Sequence, residues 1–235
     1  VGDEVMYGSC FRDLMTCCDK LTVAVSPRLL PAFRRSLPKR IDLVERSSVV
    51  DIQIGRPMGL VVPDLDFDFH APALTAAGFV RQHIDQFRSA AKPWLMADKK
   101  MVDNFREALE VAARGRKIVG LSWNTKNEQY KAKRNISLIE LAASLPEDLL
   151  LINLQYGDTA EAMRQVGVEL GKALVTFDGL DNWSDLDNFL ALIQACDTVV
   201  SIDNSTVHFA GALGKECHVL LPYSSEWRWG ANGVT

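Results

Sequence analysis

The residues with the most chemical potential stand near the end of the chain, at Asp203-Asn204-Ser205-Thr206. A β-branched apolar run, Val199 to Ile202, stops at this polar tetrad. An alanine-rich helical stretch follows until Gly214, and a second apolar run begins at Cys217. The order strand, loop, helix, strand builds a parallel sheet whose ligand edge lies at the carboxyl ends of its strands. The first N–H groups of a helix lack partners inside it and attract phosphate. The tetrad therefore reads as a nucleotide-diphosphate site. Ser205 and Thr206 offer hydroxyl and backbone donors there, Asn204 stands at the helix start, and Asp203 is placed to face sugar or ribose hydroxyls.

A helix end alone stabilises an exposed anion by about 0.3–1 kcal/mol, and a partly buried one by up to about 2 kcal/mol. That is too little for a working site, so converging cations are required. Lys131, Lys133 and Arg134, in a polar loop expected over Asn124 to Asn135, are the candidates. His208 lies one turn into the helix, where a structural role and a ligand-facing one are equally compatible with its position. Gln155 and Tyr156 end a neighbouring strand and share the crevice, as contacts to base or ribose or as part of a plain turn at Gly157-Asp158. Trp227 and Trp229 fit a lid, an interdomain wall or core packing. Asp64-Leu-Asp66-Phe-Asp68-Phe-His70 alternates carboxylates with apolar residues. It fails as a calcium loop because Phe69 occupies the turn where glycine is needed. A half-buried extended segment is expected there, and no metal.

The 235 residues suffice for one large or two medium domains. An apolar share of 48% with 24% charged residues is ordinary for a globular chain. A net charge of -4 gives no basic footprint for nucleic acid. No apolar run approaches the roughly 20 residues of a membrane helix, and the opening residues do not form a secretory leader. The five cysteines, Cys10, Cys17, Cys18, Cys196 and Cys217, are odd in number and include no Cys-x-x-Cys pair. They suit small buried hydrophobes in a reducing compartment, so the cytoplasm is expected. Both ends read as cut from something longer: helix-compatible sequence starts at once, and the chain stops just after a Trp-rich segment.

The elements that must position these residues alternate between strand and helix, an α/β signature. A helix is expected over Glu4 to Asp19, a strand over Leu21 to Val25, a short basic helix over Leu29 to Ser36, and strands at Ile41 to Val44 and Val49 to Ile54. Gly55 to Pro72 reads as a surface loop. Val102, Phe105, Leu109 and Ala112 fall at helical spacing within Lys99 to Arg114, before Gly115. Strands follow at Ile118 to Trp123, Leu149 to Leu154, Ala173 to Phe177, Val199 to Ile202 and Val219 to Leu221. The intervening helices start at Ser137-Leu-Ile-Glu140, read as a capping box, at Ala160, at Ser184-Asp-Leu-Asp187 and at Ser205. The boundary between two units falls near Pro93 to Asp98, giving 1–95 and 96–235.

These motifs together resemble one family. Gly120-Leu-Ser-Trp123, Arg134-Asn-Ile-Ser137-Leu, Asn153-Leu-Gln155-Tyr-Gly-Asp158 and Asp185-Leu-Asp187 stand in its order. Val200-Ser-Ile-Asp203-Asn-Ser-Thr-Val-His208-Phe-Ala-Gly-Ala-Leu-Gly-Lys215 and Leu221-Pro-Tyr-Ser-Ser-Glu-Trp227-Arg-Trp229 complete it. The chain resembles the catalytic region of bacterial glycosyltransferases that often follow tetratricopeptide repeats, related to the heptosyltransferases. Gly2-Asp3-Glu4-Val-Met matches that family's Gly-Asp-Glu segment, and Asp51-Ile-Gln-Ile54 and Pro57-Met-Gly59 are similar too. The resemblance is strong across 118–229 and weaker across 20–115. It implies two Rossmann-like halves in a GT-B arrangement, an incomplete acceptor half followed by a nucleotide-sugar half. It also implies inverting transfer of a sugar from a nucleotide-sugar, a substrate rather than a cofactor, to a hydroxyl of a protein, glycan or lipid, with no required metal. Asp3 matches the family's base, and Lys133 or Arg134 its phosphate clamp. By position alone, Asp3 reads more simply as an acid at a helix start. The family's strand before Gly2 and its returning segment after Thr235 are not in this chain.

Two other readings stay open: a sugar-nucleotide epimerase of the same layout, and a catalytically silent nucleotide-binding or interaction module. A dinucleotide-binding dehydrogenase is disfavoured, because no Gly-x-Gly-x-x-Gly follows any strand.

Overall fold

The β-branched and apolar runs become parallel strands. The computed structural model describes residues 1–46, 67–225 and 227–229, with backbone alone at 128–130 and 227. The chain divides into two units, one within residues 3–96 and one within residues 97–235.

The first unit contains α1 (Gly2–Gly8), α2 (Phe11–Leu14), β1 (Leu21–Val25), a 3-10 turn (Pro27–Leu29), α3 (Leu30–Ser36), β2 (Ile41–Glu45), α4 (Ala73–Val80) and α5 (Ile84–Ser89). The single helix expected over Glu4 to Asp19 is instead two. The break falls at Ser9, whose hydroxyl donates back to the Met6 carbonyl at 3.1 Å, while the Cys10 N–H takes the tighter bond to Tyr7. β1 and β2 pair in parallel, from Leu21 opposite Ile41 to Val25 opposite Glu45. Phe33 anchors the core of this unit against the edges of Phe11 and Trp94. Nothing in the sequence reading anticipated α4 or α5. α4 buries only Ala77 and α5 buries no residue, so neither carries the apolar stripe that marks a helix. Arg81 ties this segment to the α1–α2 turn, donating to the Asp13 carboxylate at 2.8 Å and to the Ser9 carbonyl at 2.6 Å. The strand expected at Val49 to Ile54, the Pro57-Met-Gly59 match and Asp64 and Asp66 lie outside the described residues. The half-buried segment expected at Phe67 to His70 is not observed, since Phe69 is 94% exposed.

The second unit runs α6 (Lys99–Ala113), β3 (Lys117–Ser122), α7 (Glu128–Arg134), α8 (Leu138–Ala143), β4 (Leu149–Asn153), α9 (Ala160–Leu170), β5 (Leu174–Val175), α10 (Leu186–Ala195), β6 (Thr198–Ile202), α11 (Ser205–Leu213), β7 (Cys217–Leu220) and a 3-10 turn (Trp227–Trp229). Its five strands are all parallel, in the order β5-β4-β3-β6-β7. This is a Rossmann-like α/β sheet, and its strand order reverses between β3 and β6. Val119, Leu121 and Trp123 share one face with Leu151 and Val200, covered by Leu138, Leu141 and Ala142 of α8 and Val166 of α9. Gly120 points the other way, where a Cβ would collide with the Leu154 side chain and press on Cys196. At the far end of α11, Gly214 closes the helix in the left-handed conformation, φ 75°.

Four local expectations are corrected. The polar loop over Asn124 to Asn135 contains α7. Lysine, arginine, glutamate and alanine favour helix, but without an apolar stripe the pattern is silent. Ser137 precedes α8 yet makes no side-chain cap bond, so the capping box is not formed. Asp185, not Ser184, caps α10, its carboxylate accepting from the Asn188 N–H at 3.2 Å. β5 is also shorter than the strand expected over Ala173 to Phe177, and Phe177 packs edge-on against Phe105. Among the described residues, no helix is long and apolar enough to cross a membrane.

Candidate functional site

The carboxyl ends of β3 and β6 meet in one buried polar network. The Asn204 side chain caps α11, its oxygen accepting from the Thr206 N–H at 2.9 Å. Its amide nitrogen donates across the strand gap to the Ser122 hydroxyl at 2.8 Å. The Thr206 hydroxyl donates to the same oxygen at 3.3 Å, and Ser122 donates onward to Gln155 at 3.2 Å. Thr206 is 1% exposed. Two members of the tetrad, Asn204 and Thr206, therefore direct their side chains into the scaffold. Ser205 is half-buried at the first helical position of α11.

Arg134 reaches Asp203 from the end of α7. Its guanidinium donates to the Asp203 carbonyl at 3.3 Å and lies 3.4 Å from the carboxylate. The pair is nearly enclosed, with side chains 12% and 4% exposed. Arg134 thus balances a buried carboxylate, and any phosphate must share it with Asp203. Lys131 and Lys133 stay exposed in the same last turn. Cations there also suit the negative end of the α7 dipole. Asn135 staples the base of this excursion: its oxygen accepts from the Thr125 N–H at 2.8 Å, and its amide donates to the Asn124 side chain.

Gln155 is a brace rather than an open hand. Its side-chain oxygen accepts from the Ser122 hydroxyl and from the N–H groups of Trp123 and Asn124, at 3.2, 3.0 and 2.8 Å. Its amide donates to the Tyr156 carbonyl at 3.2 Å, and the residue is 5% exposed. Tyr156 differs. Its hydroxyl accepts from the Lys126 N–H at 3.0 Å, and its ring meets Trp183 with centroids 5.2 Å apart. Beside them, the Asp181 carboxyl is held below its ordinary value by the Ser184 hydroxyl and the Trp183 N–H, with Lys126 assisting and burial opposing.

His208 stacks on Trp229, with ring centroids 5.6 Å apart and planes 15° from parallel. In the first unit, Asp3 is exposed in the first turn of α1. Its neighbour Glu4 is tied down at the end of β1, accepting from the Ser26 N–H at 2.7 Å.

The structure thus brings together Arg134, Gln155, Asp203, Asn204, Ser205 and Thr206 along one sheet edge, with Tyr156 beside them. Ser122 and Asn135 escaped the sequence reading. Both are small polar residues inside motifs, and neither their type nor their spacing marks which strand end they bridge.

No protein-family model matches the chain, and no solved structure matches it. It is 29% identical, over 235 residues, to Protein FlbA of Caulobacter vibrioides (strain ATCC 19089 / CIP 103742 / CB 15). That match covers 98% of this chain and 39% of the relative, so the chain spans about two fifths of its length.

Proposed function

We propose that the chain is the catalytic part of an inverting, metal-independent glycosyltransferase, moving a sugar from a nucleotide-sugar to a hydroxyl of a protein, glycan or lipid. The observation that carries this reading is the reversal of strand order between β3 and β6, because open α/β sheets bind ligands at that point. The N-terminus of α11 and the basic end of α7 supply what a diphosphate needs there. The motif resemblance across 118–229 supports the choice of nucleotide-sugar, and the two-half GT-B arrangement belongs to the same proposal. The cytoplasm is its expected compartment.

In this reading Asp3 takes the proton of the acceptor hydroxyl, whose oxygen attacks the anomeric carbon. The bond from that carbon to the diphosphate oxygen breaks, and the nucleoside diphosphate leaves with the electron pair. The N–H of Ser205, with Lys133 and the Arg134–Asp203 pair, meets the departing charge. A general base contributes about 10²–10⁴-fold. Asp3→Asn should therefore lower nucleoside-diphosphate release from the preferred nucleotide-sugar by at least about a hundredfold and leave donor binding intact. Undiminished turnover in Asp3→Asn would remove Asp3 from the mechanism. Failure to consume any of the UDP-, GDP-, ADP-, CDP- or dTDP-sugars would contradict the reading as a whole.

A further inference from the structure

We infer that Cys17 and Cys18 form a vicinal dithiol site for a trivalent arsenical, on the turn between α2 and β1. The inference is independent of the nucleotide reading, because it uses only residues of the first unit and a different chemistry.

The first observation is exposure. In the sequence all five cysteines read as small buried hydrophobes, yet Cys17 and Cys18 are both exposed, unlike Cys10 and Cys196. Reactivity rather than packing is what an exposed cysteine offers. Adjacent in the chain, these two present a pair of thiols on one turn.

The second observation is that the same short stretch of backbone holds both thiols. Met15, 7% exposed, anchors the turn in the first unit. The Leu14 carbonyl accepts from the Cys17 N–H at 2.9 Å and from the Cys18 thiol at 3.4 Å. The Thr16 hydroxyl donates to the Asp13 carbonyl at 2.7 Å. Its one hydrogen is thereby committed, so the Cys17 thiol is the donor in its 3.6 Å contact with the Thr16 oxygen. Both sulfurs lie against the end of α2, with less side-chain freedom left to lose on capture.

The third consideration is what two adjacent thiols can hold. Structural zinc needs a full set of protein ligands, and among the described residues no group of three or more histidines, cysteines or carboxylates could hold a metal. A direct disulfide needs Cα atoms usually about 4.4–6.8 Å apart, whereas neighbours across a trans peptide are only about 3.8 Å apart. One bridging atom with long bonds to sulfur removes that mismatch. Trivalent arsenic bearing one carbon substituent needs two thiols and no third ligand. In the capture step both thiols add to an arsenoxide. Two arsenic–sulfur bonds form, the arsenic–oxygen double bond breaks, and the oxygen leaves as water with the two thiol protons. Arsenic stays trivalent, so no oxidant or reductant takes part.

The test is mass spectrometry of the folded protein with phenylarsine oxide, followed by thiol competition. The proteins are the wild type, Cys17→Ser and Cys18→Ser, each checked by thermal melting. The wild type should gain a single phenylarsenic group per chain, with the mass of one water lost. Closing the second arsenic–sulfur bond within the chain gives it a high effective concentration. Displacing the adduct should therefore take about a hundredfold more 2-mercaptoethanol in the wild type than in either variant. Dimercaptopropanol, itself a dithiol, should remove it readily. Release from the wild type and both variants at the same monothiol concentration would overturn the dithiol site. So would an adduct that peptide mapping places on Cys10, Cys196 or Cys217.

Discussion

The Asn204 side-chain amide donates to the Ser122 hydroxyl over 2.8 Å, joining the carboxyl end of β6 to that of β3. The same side chain caps α11. One residue therefore sets both the gap between two strands and the direction of the helix start that faces a ligand.

Asn204→Ala removes the cap and strands the buried Ser122 hydroxyl without one of its donors. Loss of a cap costs about 1 kcal/mol, and an unpaired buried group adds about as much again. Thermal unfolding should show a fall in Tm of about 4–8 °C. Asn204→Asp, which keeps the cap acceptor, should lose about half of that. An unchanged Tm in Asn204→Ala would show that the network is not structural.

Gln155→Leu should be more damaging. It leaves the Trp123 and Asn124 N–H groups without the oxygen they share, at a cost of about 2–4 kcal/mol. Chemical denaturation should show a lower midpoint with an unchanged slope.

How much of this was legible in the sequence follows from what each feature requires. β1, β6 and α11 were readable because β-branched runs and a Gly214 stop are local signals. The single-unit order of β3 to β7 was readable because parallel strands buried on both faces form continuous apolar runs. α5 and α7 were not readable, since neither carries an apolar stripe and helicity there depends on side-chain bonds and neighbours. Within the tetrad, the sequence marks Ser205 and Thr206 as equivalent donors. Their separation into a half-buried Ser205 and a buried Thr206 is a matter of helix phase. The inward turn of Gln155 depends on the register of β3 against β4, Leu121 opposite Asn153, which no local pattern carries.

Asp197 should make the second unit acid-sensitive. Burial pushes its carboxyl up, but the Ile118 N–H, the Arg106 hydrogen bond at 2.6 Å and the charges of Arg106 and Lys215 together hold it below its ordinary 3.8. A depressed carboxyl contributes stability above its unfolded pKa and loses that contribution as pH falls through the folded value. Asp197→Asn should therefore lower stability at pH 7 and narrow the difference between wild type and variant as pH drops below about 4. An equal gap at pH 7 and pH 3 would contradict this.

The cysteines should divide sharply toward a thiol reagent. Cys17 and Cys18 are exposed, whereas burial pushes the thiols of Cys196 and Cys217 up to about 12 and raises that of Cys10 as well. Native protein at pH 8 should show two fast thiols, and unfolded protein all five. The raised thiols contribute stability below their ordinary 9.0, and that contribution is lost as pH rises from there towards about 12. Rapid modification of Cys196 in the folded state would contradict its placement.

The central claim, that the α11 terminus holds a diphosphate, is tested most directly by titrating the nucleoside diphosphates into wild type and Ser205→Asp, with and without EDTA. A carboxylate at the first helical position suits the helix dipole and preserves the fold, yet it repels a second anion. The account predicts saturable binding of one nucleotide, unaffected by EDTA and abolished in a Ser205→Asp protein that melts no lower than wild type. Nucleotide binding that survives Ser205→Asp at wild-type affinity would place the diphosphate elsewhere and contradict the account.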